Sequence, residues 1–192
     1  MKKITLLIFC FITHLALGQA AKIASLKEKV WSNPDFVKSF MGSFGVKSEV
    51  EPKIGRQEQV LFEDLSEMIE EERFEDVISE LKDEFDEIDS HAAIDFTLAN
   101  FLVQEGQMGE SKPYYISAIR KFPDFLRAHK NLGLLEVQDG NFTSALTHLV
   151  KCVELGGAGG DLYGLIGYCY LNKELFASAL DSYRMALIFE PD

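Results

Sequence analysis

The sequence predicts an all-α protein: a right-handed superhelical stack of antiparallel helix pairs. Three observations carry this. Related positions recur every 34 residues without a gap, apolar residues inside each step fall three and four apart, and a polar or glycine-bearing break divides each step in two. Spacing of three and four is the mark of a helix with one apolar face. A break in mid-step turns one long helix into two short ones.

The elements follow in order. MKKITLLIFCFITHLALGQA opens with the basic pair Lys2 and Lys3, an apolar run from Ile4 to Leu17, and small residues at Ala16, Gly18 and Ala20. This reads as a signal peptide over 1–18, cleaved after 18 or 20, so the mature chain is expected to be periplasmic or secreted. The apolar run is too short to span a bilayer, which needs ~20 residues, so no stable membrane insertion is expected after cleavage. Cys10 follows Phe9 in mid-run and does not suit lipidation.

Residues 19–57 are expected to form a short helix and a linker. Asn33 can cap a helix with Pro34 in its first turn, and Phe36, Val37, Phe40, Met41 and Phe44 supply its apolar side. Lys47 to Gln59 is polar, contains Glu51-Pro52 and reads as the linker.

From there the step of 34 sets the register. Phe74, Met108, Phe142 and Phe176 are in phase, as are Val77, Ser111, Ala145 and Ala179, and Leu81, Tyr115, Leu149 and Tyr183. Leu65, Ala99, Gly133 and Gly167 keep the same step upstream. Four units result: 58–91, 92–125, 126–159 and 160–192. Small residues such as Gly133 with Ala145, and Gly167 with Ala179, allow the two helices of a pair to approach closely. Pro113 is expected in the first turn of its helix, where a missing N–H costs little.

A 34-residue two-helix unit with a small residue at its eighth position, alanine at its twentieth (Ala145, Ala179) and proline at its thirty-second (Pro123, Pro191) resembles the tetratricopeptide repeat. The resemblance covers 92–192. It weakens over 58–91, where Asp64, Val77, Glu84 and Asp89 depart from the pattern, so that unit is either a degenerate repeat or an acidic helix pair capping the stack. The resemblance implies an α-solenoid whose first helices line a concave groove for a protein or peptide partner. Carried over position by position, the groove residues are Asn100, Gln104, Arg127, Lys130, Asn131, Gln138, Tyr168 and Asn172. Asn and Gln suit peptide backbone, and Arg127 with Lys130 suits a carboxylate. A carboxylate clamp of the kind some relatives carry is incomplete, because Phe96, Asp161 and Leu165 stand where it needs basic residues.

Charge narrows the partner further. Between Gln57 and His91 stand fifteen acidic residues and two basic ones, Arg73 and Lys82, and the whole chain carries a formal net charge of -12. Phosphate would be repelled, so nucleic acid is not an expected partner. The run itself reads as the solvated face of amphipathic helices, or as a negative patch for a basic partner.

No catalytic constellation emerges, and no cofactor, metal set or enzyme activity is expected. The glycine-rich stretch ELGGAGGDLYGLIG, from Glu154 to Gly167, lacks the Gly-Lys-Ser/Thr of a P-loop and has Leu162 where a dinucleotide fingerprint needs glycine. In this register it is a joint between two helix pairs. Gly42-Ser43-Phe44-Gly45 lacks the first glycine of a nucleophile elbow. Asp83, Asp86 and Asp89 have Phe85 at a calcium-ligand position, and His91, His129 and His148 show no zinc spacing. Cys152 and Cys169 could pair in an exported protein or could be two small core residues.

The last helix carries Leu180, Met185, Leu187, Ile188 and Phe189 with no polar capping helix after it. That leaves apolar surface for a further part of a longer repeat array, or for self-association. The functional expectation is an exported protein–protein interaction scaffold in a cell-envelope complex. The alternative is a peptide- or glycan-binding subunit of an envelope uptake system.

Overall fold

The computed structural model describes residues 49–189, within a compact unit that spans Phe44–Asp192. The signal peptide, the helix expected around Phe36 to Phe44, the Gly42–Gly45 stretch and the final Pro191-Asp192 lie outside the described residues.

Eight helices and no strands are present among the described residues: α1 (Arg56–Glu70), α2 (Phe74–Glu84), α3 (Ala92–Gln104), α4 (Met108–Lys121), α5 (Leu126–Gln138), α6 (Phe142–Glu154), α7 (Gly160–Asn172) and α8 (Phe176–Phe189). Each odd-numbered helix packs on the next even one, and α2, α4 and α6 pack on the first helix of the following pair. The all-α stack of helix pairs is therefore the observed architecture. Helix α1 begins two residues before unit 58–91, with Glu58 reaching back so that its carboxylate accepts the Gly55 N–H at 2.7 Å.

The turn inside each pair shows the step of 34 in the backbone itself. Glu72, Gly106, Gly140 and Glu174 all have positive φ, between 58° and 76°. In each turn the next residue's N–H bonds back to the preceding helix, as Gln107 does to the Leu102 carbonyl and Asn141 to the Glu136 carbonyl. Two of the four turns use glycine for this left-handed residue, and two force glutamate into it.

Helix α3 is the most enclosed element, with every residue from Ala92 to Val103 buried. Around it gather the largest buried side chains, Tyr115, Phe96, Phe101 and Phe125, with the Phe96 ring 4.6 Å from Phe125 and 5.9 Å from Tyr115. Each such ring contributes roughly 1.5–3 kcal/mol by leaving water. By contrast α1 buries only Leu65, and α2 buries Val77, Ile78 and Leu81, so the acidic residues of this pair face solvent.

The small residues at the eighth position work as close-approach sites. A Cβ on Gly133 would sit 2.9 Å from Leu149 Cδ2, and one on Gly167 would sit 2.9 Å from Tyr183 Cε1. One expectation changes and one open alternative is decided. Pro113 lies five residues into α4 rather than in its first turn, because the turn at Gly106 lets α4 start at Met108; one interior helix bond is forgone on an exposed side. Cys152 and Cys169 are both free, buried in one cluster with Leu149, Leu162 and Ile166, and burial pushes their thiols up to about 12 and about 11.

At the glycine-rich joint, Gly156 takes φ +80° and the N–H groups of Gly156 and Gly157 donate to the Val153 and Cys152 carbonyls, at 3.0 and 2.9 Å. These two donors close α6 and are not offered to a phosphate. Gly157 itself packs against the start of α5, where a Cβ would meet Leu126 Cδ1 at 2.9 Å.

Candidate interaction face

The residues assigned to the groove lie on α3, α5 and α7, the first helices of three successive pairs. Their surroundings differ sharply. Asn100 and Asn131 are 6% and 7% exposed, and their amides are committed to one another: Asn131 Nδ2 donates to Asn100 Oδ1 at 3.1 Å. The Tyr115 hydroxyl, fully buried, donates to the same oxygen at 2.5 Å. Burial raises the Tyr115 pKa, so the phenol stays a neutral donor. This network ties α3, α4 and α5 together. The sequence register puts both asparagines on an open face; the neighbouring pair covers them, and their polar atoms find partners inside the fold.

Arg127 is also engaged. Its guanidinium meets the Glu51 carboxylate at 2.7–2.8 Å and lies 5.1 Å from the Phe96 ring centroid. Glu51 belongs to the stretch expected to be a linker, and here it is a docked strap. The Val50 carbonyl accepts the Leu126 N–H at the start of α5, at 3.1 Å. His91 caps α3, its Nδ1 accepting from the Ala93 N–H at 3.2 Å, and this leaves Nε2 to donate to the Lys53 carbonyl at 3.1 Å. Glu51 and Pro52 are buried as a result.

The other assigned residues are more open. Lys130 on α5 reaches Asp161 at the start of α7 at 2.7 Å, with both side chains about half exposed (44% and 49%), so the contact is worth little. The Tyr168 ring packs edge-on to Phe142 at 5.8 Å, and Asn172, one turn further along α7, donates to the Tyr168 carbonyl at 2.8 Å. Gln104 and Gln138 close α3 and α5 at equivalent positions, each half-buried. The open polar surface of the first helices thus comes from Gln104, Lys130, Gln138, Tyr168 and Asn172.

Two further arrangements carry no periodic signal in the sequence. His129 and His148 bring their Nδ1 atoms to 3.0 Å, beside a cavity of about 520 Å³ lined by Leu146, Thr147, Val150, Lys151 and Glu154. Lys112 joins Glu136 at 3.1 Å and Asp139 at 2.5 Å, and Asn141 Nδ2 donates to the same Glu136 at 2.7 Å. The calcium-like aspartates resolve differently: Asp86 Oδ1 accepts the Ile88 and Asp89 N–H groups at 2.7 Å, which also lower its pKa. On α8, Phe176, Leu180, Leu187 and Ile188 are all more than half exposed, and no helix among the described residues is long and apolar enough to cross a membrane.

No family model matches the chain, and no curated protein matches it. Solved structures do. MamA 41-end from Desulfovibrio magneticus RS-1 superposes with a TM-score of 0.63 at 15% identity, over 71% of this chain and 77% of that one. A structure of MamA AMB-1 gives 0.61 at 19% identity, over 70% and 74%, and one of MamA MSR-1 gives 0.60 at 20%, over 71% and 79%. These are tetratricopeptide-like helical repeat proteins. The chain has their fold. At such identities the likeness extends to architecture alone.

Proposed function

We propose that this chain is an exported scaffold that holds a segment of another protein along the face of α3, α5 and α7, within a cell-envelope complex. The observation that supports this most directly is the strap at Val50 to Lys53. There the chain's own irregular segment binds to α3 and α5 through two backbone carbonyls and one carboxylate, the means by which a solenoid face takes a peptide. Lys130 on α5, with Tyr168 and Asn172 on α7, extends the proposed surface. The four helix pairs, with 58–91 as a degenerate first repeat, set its length, and the signal-like start supports a location outside the cytoplasm.

The test is affinity capture from envelope extracts with the wild-type chain and with Lys130→Glu/Tyr168→Ala. Lys130 is about half exposed and Tyr168 is partly covered by Phe142, so circular dichroism accompanies the variant, which is expected to keep its helical signal and to lose its captured protein. An identical captured set from both proteins would remove this face from consideration.

A further inference from the structure

We infer that residues 50–53 act as an in-cis ligand, and that the site they occupy takes, in trans, an extended protein segment carrying a glutamate. This rests on the scaffold reading above and names the chemistry of one part of its surface.

The site is assembled from four groups. The Leu126 N–H at the start of α5 receives a backbone carbonyl, and His91 Nε2 donates to a second. Arg127 clasps the carboxylate between them, and the Phe96 ring backs the guanidinium. None of these contacts depends on the strap being joined to α1. A helix start favours an anion, and Arg127 fixes where the carboxylate must sit. Any segment presenting carbonyl, glutamate and carbonyl in the order of Val50, Glu51 and Lys53 meets the same donors.

The strap is suited to release. It contains no helix, and among the described residues it is held by two carbonyl bonds and by the Glu51 carboxylate, which meets both the guanidinium and the backbone N–H of Arg127. Burial raises the Glu51 pKa against the opposing pull of Arg127, so desolvation of the carboxylate offsets much of what the pair contributes. A weak contact of this kind persists because the tether supplies an effective concentration of about millimolar. A partner segment with additional contacts on α7 can displace it.

The experiment uses the full chain and a fluorescent peptide of residues 48–54, SEVEPKI, followed by anisotropy. The wild-type chain, already occupied, is expected to bind the peptide poorly. Glu51→Lys, which repels Arg127 and takes the strap's carboxylate away from it, is expected to bind it about tenfold more tightly. Glu51→Lys/Arg127→Glu should lose that gain. Circular dichroism and sedimentation accompany each protein, and Glu51→Ala serves if the lysine variant unfolds. Equal peptide binding by folded wild-type and Glu51 variants would overturn the inference and make the strap a fixed brace. A wild-type dimer that Glu51→Lys dissociates would also overturn it, by showing that the strap is exchanged between copies. Either failure, with partner capture still lost in Lys130→Glu/Tyr168→Ala, would leave the scaffold reading standing.

Discussion

The Nδ1 atoms of His129 and His148 face one another at 3.0 Å across α5 and α6. His129 Nε2 lies 2.9 Å from the Pro123 carbonyl, which can only accept, so that nitrogen carries the proton. Nδ1 of His129 is then bare and accepts from His148 Nδ1–H. Two protonated rings would set N–H against N–H. Burial first, then the neighbouring ring, lowers the His148 pKa; burial and Lys151 lower that of His129, while Asp124 and Glu136 pull the other way. With both folded-state values below 6.5, the unfolded chain binds more protons as pH falls through that point. Urea unfolding should therefore show stability that is level above about pH 7 and declines below about 6.5, and His148→Leu should flatten the decline. A slope of the same size in His148→Leu would place the acid sensitivity elsewhere.

The left-handed turns differ in cost. Glu72 and Glu174 occupy at φ 58° and 60° the position that glycine fills in the two middle turns. Glu72→Gly or Glu174→Gly should raise stability by about 1 kcal/mol, and Gly106→Ala or Gly140→Ala should lower it by a similar amount. Thermal melts of the four variants check the pattern. Destabilisation by Glu174→Gly would mean that its side chain contributes more than its backbone costs.

Glycines inside helices separate just as clearly. At Gly164 on α7 an added Cβ meets nothing within 4 Å, so Gly164→Ala should gain roughly 0.5–1 kcal/mol from helix propensity. At Gly133 the same change drives a Cβ to 2.9 Å from Leu149, a fully buried side chain, and should cost about 1–3 kcal/mol. A denaturant midpoint that rises for Gly133→Ala would refute close packing of α5 on α6, and one that falls for Gly164→Ala would refute open space beside α7.

The buried polar triad makes a fourth stability prediction. Tyr115→Phe removes one donor to Asn100 while Asn131 still serves it, at a cost of about 1 kcal/mol. Asn100→Leu removes the oxygen to which both the Tyr115 hydroxyl and the Asn131 amide donate, leaves them only their mutual bond at 3.3 Å, and should cost about 2–3 kcal/mol. Partner binding by folded Tyr115→Phe should be unchanged. A selective loss of binding without loss of stability would show that these groups open to the partner after all.

The repeat register is legible because apolar and small helix positions recur in phase, and the same step reappears in the φ angles of the turns at Glu72, Gly106, Gly140 and Glu174. What the register does not convey is which of its faces a neighbour covers. Asn100 and Asn131 occupy positions that the register assigns to the groove, and inside the fold Tyr115 of α4 and the two amides themselves take up their polar atoms. The Glu51–Arg127 pair joins residues 76 apart, outside any repeat, so no spacing announces it. His129 and His148 lie 19 apart, on different helices, and meet through interhelical packing rather than along one face. Pro113 sits deeper in its helix than expected because the preference of proline for a first turn is weaker than the turn geometry at Gly106.

The central claim is that a protein segment lies along the first helices of the pairs. Site-specific photo-crosslinking in envelope-bearing cells tests it most directly, with the reactive residue at Gln104 or Tyr168 on that face, and at the exposed Ile116 on α4 as the counterpart. A discrete crosslinked protein from Gln104 and Tyr168, and none from Ile116, is the expected result. Crosslinks from Ile116 alone, or equally from all three positions, would contradict it.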